Sequence, residues 1–244
     1  MAPSWFPFLR PQPDPKVRLL CLPHAGGTAS LYRLWARGLP AGIEVWAAQL
    51  PGRETRLSEP PHRRMAPLID SLVEAVAPAM DRPVVIFGHS LGALIAFELA
   101  RALRRAGLPS PALLAVSGRE EPTVPSRVPG IHEAPEATLI SHLKGLQGTP
   151  AELLEDRELL ELLLPVLRAD FELLNTYAFT PAEPLGCSLV ALGGARDPVV
   201  APDALEGWAA HTTRFVGPRV FEGGHFYHLY RREEVLRSLM GELG

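Results

Sequence analysis

Cysteine, lysine and long apolar runs are scarce in this sequence, and each shortage excludes a class of protein. Only two of the 244 residues are cysteine, Cys21 and Cys187, and both lie in apolar runs. Such cysteines are typical of small buried side chains in a reducing compartment, so neither a disulfide scaffold nor a metal site is expected. Lys16 and Lys144 are the only lysines among 24 basic residues, and 27 acidic residues leave a formal charge of −3. That balance gives no support for nucleic-acid binding.

Membrane and export signals are also missing. No stretch approaches the roughly 18 uninterrupted apolar residues that a membrane span needs. The first fifteen residues, MAPSWFPFLRPQPDP, lack the basic segment and apolar core of a signal peptide. We therefore expect a cytoplasmic protein that makes no use of a membrane. Hydrophobic residues make up 47% of the chain, which is enough for the core of one large domain.

Short apolar runs alternate with helical patterns along the chain. The runs are continuous, as expected for strands that a parallel sheet buries on both faces. Leu91–Arg105, rich in alanine and leucine, shows an intervening helical pattern that ends before Gly107. The sequence therefore predicts an α/β fold with a mostly parallel central sheet flanked by helices. The predicted strands are Val17–Leu22 and residues 45–50, 84–87, 113–116, 189–192 and 220–221.

About seventy residues between the fourth and fifth predicted strands show no strand pattern. A proline-punctuated linker leads into residues 136–179, which are helical in pattern and unusually apolar. Their leucines are too many for one helix face, so the segment either adds to the core or lines an apolar space. Pro165 lies in the most leucine-rich stretch and predicts that a helix begins or kinks there. We predict a single domain over residues 1–244, with a helical insertion at 120–185 and an extended arm at 1–15.

The strongest chemical signal is the segment FGHSLG at residues 87–92. Its G-x-S-x-G pattern follows the apolar run VVIF and opens the helix Leu91–Arg105. A nucleophile elbow has this strand–turn–helix placement, in which glycines allow a sharp turn and the serine hydroxyl is exposed above the sheet. Ser90 is therefore the predicted nucleophile, and an ordinary strand–helix turn is the alternative.

A serine hydroxyl needs a base, and in this kind of site the acid and then the histidine follow the serine in the chain. His225 follows two glycines directly after the last predicted strand and is the preferred base. His228 lies three residues further, inside the predicted final helix, and is the reserve candidate. His24 precedes Ser90 in the chain and does not fit the order.

The acid must hold and orient the imidazole. Asp197 comes soon after the fifth predicted strand, and Pro198 favours an extended conformation that keeps it in a loop. Asp203 is the rival, although its surroundings resemble a helix start, where aspartate is a common cap. Asp170 lies within the predicted insertion and is less well placed. Asp197 is the preferred acid.

An oxyanion hole requires two backbone donors. One should be the N–H of Leu91, the residue after the nucleophile, and the second normally comes from the loop after an early strand. That loop here is PHAGG, where Gly26 and Gly27 allow tight backbone placement and leave the N–H of Ala25 as the predicted donor. A phosphate-binding loop is the alternative for this segment, but the Lys-Ser/Thr pair of such loops is absent.

Six segments together resemble the type II thioesterases, the free-standing α/β-hydrolases of polyketide and nonribosomal peptide pathways. The resemblance spans residues ~17–240, which makes it far more specific than G-x-S-x-G alone. At Leu91 the family often has methionine; because only the backbone N–H is used there, this departure bears on the shape of the acyl chamber. The segments are LCLPHAGG, LPGRE (50–54), FGHSLGA (87–93), LRADFELLNTY (167–177), GGARDPVV (193–200) and FEGGHFY (221–227).

The resemblance implies an α/β-hydrolase fold with Ser90 as nucleophile, Asp197 as acid and His225 as base. It implies that residues 133–179 form a helical lid over an acyl chamber, inserted before the acid-bearing strand. It also implies hydrolysis of aberrant or stalled acyl groups from the phosphopantetheine arms of acyl or peptidyl carrier proteins. These carriers would be transient partners of a monomer that needs no cofactor and no metal. A carboxylesterase or lipase acting on small esters, and a non-catalytic binding module, are the alternative interpretations.

Overall fold

The computed structural model describes residues 5–146, 148 and 154–243. Six parallel strands form one sheet in the order β2-β1-β3-β4-β5-β6. This confirms the predicted parallel α/β architecture. The strands are β1 Val17–Leu22, β2 Ile43–Ala47, β3 Val84–His89, β4 Leu113–Ser117, β5 Leu185–Gly194 and β6 Thr212–Phe221.

Six α-helices in the described ranges accompany the sheet, together with short 3₁₀ segments. None of these helices is long and apolar enough to cross a membrane. The helices are α1 Met65–Val76, α2 Leu91–Arg105, α3 Glu136–Leu146, α4 Arg157–Thr176, α5 Tyr227–Tyr230 and α6 Arg232–Gly241.

The two edge strands differ from their predicted bounds. β2 ends at Ala47, whereas the sequence predicted a strand over residues 45–50. The apolar pattern extends past the strand because Leu50 is buried in the loop that follows it. β6 is ten residues long, although only residues 220–221 were predicted. Most of β6 is partly or fully exposed, and it includes Gly217 and Pro218. An edge strand with one neighbour needs no continuous apolar run, so its pattern gave little signal.

Side chains from the two faces of the sheet enter two separate apolar layers. Leu20 and Leu22 of β1 pack on the side of α1 and α2, whereas Leu19 and Cys21 pack on the side of Trp35 and α6. Burial on both faces accounts for the continuous apolar runs in the sequence. As predicted, both cysteines are buried and free, and burial raises the pKa of the Cys21 thiol.

Helices α3 and α4 lie between β4 and β5. Asp156 caps α4, because its Oδ1 accepts hydrogen bonds from the amides of Glu158 (3.0 Å) and Leu159 (3.1 Å). A helix does not begin at Pro165, since α4 runs from Arg157 through this proline to Thr176. The other predicted alternative, a kink at Pro165, stays a prediction. The predicted insertion also covers residues 147 and 149–153, which lie outside the described residues.

Part of the predicted arm, residues 1–4, likewise lies outside the described residues. The remainder packs against the edge strand β2. Gln12 bonds to it through both ends of its amide: Nε2 donates to the carbonyl of Ile43 (2.8 Å) and Oε1 accepts from the amide of Gly42 (3.1 Å). Phe6 is buried with its ring 4.7 Å from that of Trp46. These contacts cover a sheet edge that would otherwise present unpaired backbone groups.

Candidate active site

Ser90 occupies a strained turn between β3 and α2. Its backbone has φ 55° and ψ −112°, a conformation that non-glycine residues rarely adopt. The Ser90 amide donates to the carbonyl of Ser117 at the end of β4 (2.8 Å), which fixes the turn against the neighbouring strand. The strand–turn–helix context predicted from the sequence is therefore present around Ser90.

Two glycines allow the strand and the helix to approach closely. A Cβ on Gly88 would lie 2.0 Å from the carbonyl oxygen of Gly92, and a Cβ on Gly92 would lie 2.2 Å from that of Leu22. No side chain fits at such distances from backbone atoms. The elbow thus requires glycine on both sides of Ser90, and it brings the start of α2 against the end of β1.

His225 and Asp197 lie together in loops at the same edge of the sheet. Nδ1 of His225 is 2.8 Å from Oδ2 of Asp197, and both side chains are buried. The other carboxylate oxygen accepts hydrogen bonds from the amides of Val199 (2.8 Å) and Val200 (3.2 Å), which orient it. A carboxylate that accepts from Nδ1–H leaves Nε2 unprotonated and available as a base.

The rival site residues are placed elsewhere. Asp203 is exposed in the first turn of the 3₁₀ segment Pro202–His211. Asp170, on α4, forms a buried ion pair with Arg53. His228 is fully buried in α5, with its ring 3.9 Å from that of His89. None of the three rivals contacts His225 through a hydrogen bond among the described residues.

One of the two predicted oxyanion donors, Ala25, lines a small space next to Ser90. Neither the Ala25 N–H nor the Leu91 N–H donates a hydrogen bond to another described residue. The space has a volume of about 40 Å³, large enough for a water-sized group, and Ala25, Ser90 and His225 line it. An oxygen atom placed there would lie among the candidate nucleophile, the candidate base and the Ala25 amide.

A larger cavity of about 360 Å³ opens from Ser90 and His225. Phe171 and Leu174 of α4 form part of its apolar wall, together with Leu146 of α3. This volume falls in the range of small-molecule pockets. The helices of the predicted insertion therefore face the candidate nucleophile across a largely apolar space.

Arg119 is a residue of this cavity that the sequence reasoning missed. Burial lowers its pKa to about 10, its buried Nε has no hydrogen-bond partner, and no described carboxylate forms an ion pair with it. Glu120, also in the wall, instead pairs with Arg127 through two hydrogen bonds. Arg119 follows the carboxyl end of β4, where site residues of a parallel sheet gather, and this position could have indicated it as a residue of the site.

Three further histidines lie buried behind the site. Burial lowers the pKa of His24 to about 3, with a smaller contribution from the charges of His225 and Arg53. Burial and neighbouring histidines likewise hold the pKa values of His89 and His228 well below their usual range. All three imidazoles are therefore neutral at pH 7. Nδ1 of His89 lies 2.8 Å from the hydroxyl of Ser117.

This combination of a parallel sheet, a strained serine elbow, and an Asp–His pair in the loops that follow β5 and β6 defines an α/β-hydrolase of the serine type. The family described as Thioesterase domain matches residues 17–243. The chain therefore belongs to the thioesterase family and is a thioester hydrolase.

Individual relatives support this assignment. The linear gramicidin dehydrogenase LgrE of Brevibacillus parabrevis is 40% identical over 233 residues, which cover 94% of this chain and 89% of that protein. The solved structure of the RedJ thioesterase from the prodiginine pathway of Streptomyces coelicolor superposes with a TM-score of 0.86 at 35% identity, over 100% of this chain and 94% of that one. The type II thioesterase BorB from the borrelidin cluster has a TM-score of 0.83 at 37% identity, over 96% of each chain. LgrE is named as a dehydrogenase, whereas the family match and both structures are thioesterases.

Substituting Gly92→Ala should destabilise the elbow. The new Cβ would meet the Leu22 carbonyl, so β1 or α2 must shift, and we expect the free energy of unfolding to fall by about 2 kcal/mol or more. Gly186→Ala is the control, because a Cβ at that exposed position meets nothing within 4 Å. Urea unfolding of both variants measures the effect; equal stability of the two would contradict the steric account.

Stability should also fall in mild acid because of the buried histidines. The unfolded chain takes up protons below pH ~6.5, whereas the folded chain, with lowered histidine pKa values, does not. The loss therefore begins near pH 6.5 as the pH falls and reaches about 2 kcal/mol per histidine at pH 5. Urea midpoints between pH 7 and pH 5 measure it. In a His228→Leu variant the free energy of unfolding should depend less steeply on pH, because unfolding takes up one proton fewer. An unchanged slope would contradict the prediction.

Proposed function

We propose that this thioesterase hydrolyses acyl groups from the phosphopantetheine arms of acyl or peptidyl carrier proteins in polyketide or nonribosomal peptide biosynthesis. The observation that carries the proposal is the serine elbow and Asp–His pair beside a largely apolar cavity, in a chain of this family. The named pathways of RedJ and BorB, which produce prodiginine and borrelidin, support the biosynthetic context. Removal of aberrant or stalled acyl units is the role that fits such a free-standing hydrolase.

In the first half of the proposed reaction, His225 takes the proton of the Ser90 hydroxyl through Nε2. The alkoxide then attacks the thioester carbonyl, and the oxyanion that forms accepts hydrogen bonds from the Ala25 and Leu91 amides. Each such donor contributes a factor of about 10²–10³ to the rate. Asp197 holds the imidazole in the required tautomer and stabilises the imidazolium that forms.

The carbon–sulfur bond then breaks, and the pantetheine sulfur leaves as a thiolate that takes the proton from the His225 imidazolium, so that His225 is again a neutral base. A thiol with a pKa near ~8.5 is a good leaving group, so it needs little help from a proton donor. In the second half, His225 takes a proton from a water molecule, and the hydroxide attacks the acyl-serine carbonyl. His225 then returns this proton to the Ser90 oxygen as the acyl–oxygen bond breaks, which releases the free acid. The proposed reaction needs no cofactor and no metal ion, because every proton transfer is assigned to His225.

The acyl chain would occupy the 360 Å³ cavity while it is attached to Ser90. Phe171, Leu174 and Leu146 supply an apolar wall, and burying a chain against them excludes water and contributes about 0.8 kcal/mol per methylene. Helices α3 and α4 would thus act as the lid that the sequence predicts. The carrier proteins would bind transiently, and we propose that the enzyme acts as a monomer.

Substituting Ser90→Ala should abolish turnover of acyl-pantetheine thioesters, by a factor of at least ~10³, because the nucleophile is lost. The fold should persist, since the amide that donates to the Ser117 carbonyl remains. Ser71→Ala is the matched control: Ser71 lies half-buried on α1, away from Ser90, and its hydroxyl donates to the Pro67 carbonyl. Thiol release measures turnover, and far-ultraviolet circular dichroism measures the fold. Turnover by the Ser90→Ala variant would contradict the assignment of Ser90 as nucleophile.

The carrier-protein proposal is tested by comparing three substrates that share one acyl chain: an acylated carrier protein, the acyl-pantetheine and the simple alkyl ester. We expect kcat/KM to be at least ~10-fold higher for the carrier protein than for acyl-pantetheine, because the carrier adds binding surface. We expect the ester to be the poorest substrate. Equal rates on carrier and pantetheine would exclude carrier recognition, and a preference for the ester would favour the carboxylesterase alternative.

A further inference from the structure

Two residues from the segments that resemble the family have no part in the reaction described above. Arg53 lies in LPGRE, after β2, and Asp170 lies in LRADF, on α4. They are 117 residues apart in sequence but meet as a two-point ion pair: Nη1 of Arg53 is 2.8 Å from Oδ2 of Asp170, and Nη2 is 2.9 Å from Oδ1. The side chains are only 6% and 3% exposed.

The same two side chains also hold the loop that follows β1. Oδ2 of Asp170 accepts a hydrogen bond from the Gly26 amide (2.7 Å), and Nη1 of Arg53 donates to the Gly27 carbonyl (3.2 Å). One ion pair therefore joins three segments: the loop after β1, the loop after β2, and helix α4. The loop after β1 is the one that carries the Ala25 amide.

Apolar contact reinforces this attachment. Gly26 has φ +73°, and a Cβ there would lie 2.7 Å from Cδ2 of Leu167, one turn before Asp170 on α4. The loop backbone therefore rests directly on the helix. Within the loop, the Gly27 amide donates to the His24 carbonyl (2.8 Å), which fixes the plane of the peptide group between His24 and Ala25.

A fixed peptide plane sets the direction of the Ala25 N–H. In a trans peptide the N–H points opposite to the carbonyl, so the bond that holds the His24 carbonyl inside the loop turns the Ala25 N–H outward. Ala25 lines the small space beside Ser90. Any movement of Gly26 or Gly27 would therefore rotate this donor relative to Ser90.

A buried ion pair is weak as a source of stability, because removing two charges from water costs about as much as their attraction returns. Its better-supported use is to specify one arrangement of the groups around it. Here those groups are the Gly26 amide and the Gly27 carbonyl, which belong to the candidate oxyanion loop. The pair is thus placed to determine geometry at Ala25.

We propose that Asp170 and Arg53 are positioning residues that hold the Ala25 amide in place to bind the oxyanion. The oxyanion hole is then complete only while α4 is docked on the loop after β1, because Asp170 belongs to α4. The helix that walls the acyl cavity and the donor that stabilises the transition state form one unit. This inference rests on the assigned role of Ala25 and is independent of the carrier-protein proposal.

The test compares Asp170→Asn with Glu172→Gln, using a small acyl thioester as substrate. Glu172 is a matched control on the same helix: it pairs with Arg63 (2.6 Å) and with Arg64, but it does not contact the loop after β1. We expect Asp170→Asn to lower kcat about 10- to 100-fold, which is at most the effect of removing one oxyanion donor. KM should change less than about threefold. Glu172→Gln should retain the wild-type kcat.

A transition-state readout separates positioning from a structural role. An alkyl boronic acid forms a tetrahedral adduct with an active-site serine and places an oxygen in the oxyanion hole. Its affinity should fall by the same factor as kcat/KM in Asp170→Asn, while the affinity for the product acid stays within about threefold. A variant that is merely less stable would have a lower melting temperature but wild-type kcat and boronate affinity when folded, and that result would overturn the proposal.

Arg53→Lys provides a second test if Asp170→Asn does not fold. Lysine keeps the charge beside Asp170, and the Gly26 bond can remain, but it cannot form the two-point contact and reach the Gly27 carbonyl as well. We expect an approximately 3- to 10-fold loss in kcat and in boronate affinity together. Wild-type values for both would overturn the proposal, whereas failure of the wild-type enzyme on carrier proteins would affect only the proposed function.

Discussion

The close contact of β3, α2 and β1 at the nucleophile elbow is the constraint on which the rest of the site depends. The absence of side chains at Gly88 and Gly92 lets backbone atoms meet at distances that no Cβ could share. That contact forces Ser90 into its strained conformation and leaves the Leu91 amide at the free N-terminus of α2. It also places the end of β1, and so the loop that carries Ala25, directly beside Ser90.

Parallel strand direction brings the remaining groups to the same place. The carboxyl ends of all six strands lie at one edge of the sheet, so the loops after β1, β3, β5 and β6 converge there. Asp197 and His225 follow adjacent strands, and their 2.8 Å contact is a direct consequence of that order. The buried histidines behind them are neutral, so these side chains add no positive charge that would oppose an imidazolium at His225.

Local sequence was sufficient to predict the parallel fold and to select the residues that the structure brings together at the edge. Ser90, Asp197 and His225 each follow a predicted strand, and parallel strands end at one edge of the sheet, which predicts that the three residues lie at that edge. The adjacency of β5 and β6, which brings Asp197 to His225, comes from the structure. The length of β6 was not predictable, because an edge strand can be polar and can contain Gly217 and Pro218. α4 continues through Pro165, and its residues Val166, Leu167 and Ala169 next to the proline are buried, so tertiary packing opposes the break that the sequence favours. The Arg53–Asp170 contact joins distant segments that share no periodicity, so no local pattern could reveal it.

The chemistry of a thioester gives a physical reason for a rigid oxyanion loop. Because a thiol leaves readily, protonation of the leaving group contributes little, and the main barrier is the formation of the oxyanion. Stabilisation of an oxyanion depends on donors that are already in position, since reorganising them during the reaction costs the energy that they would contribute. A bidentate ion pair at 2.8 and 2.9 Å, shielded from solvent, restrains the loop after β1 more tightly than exposed contacts could. Because one partner of that pair lies on α4, the helix that walls the cavity also holds the loop to which we assign the second oxyanion donor.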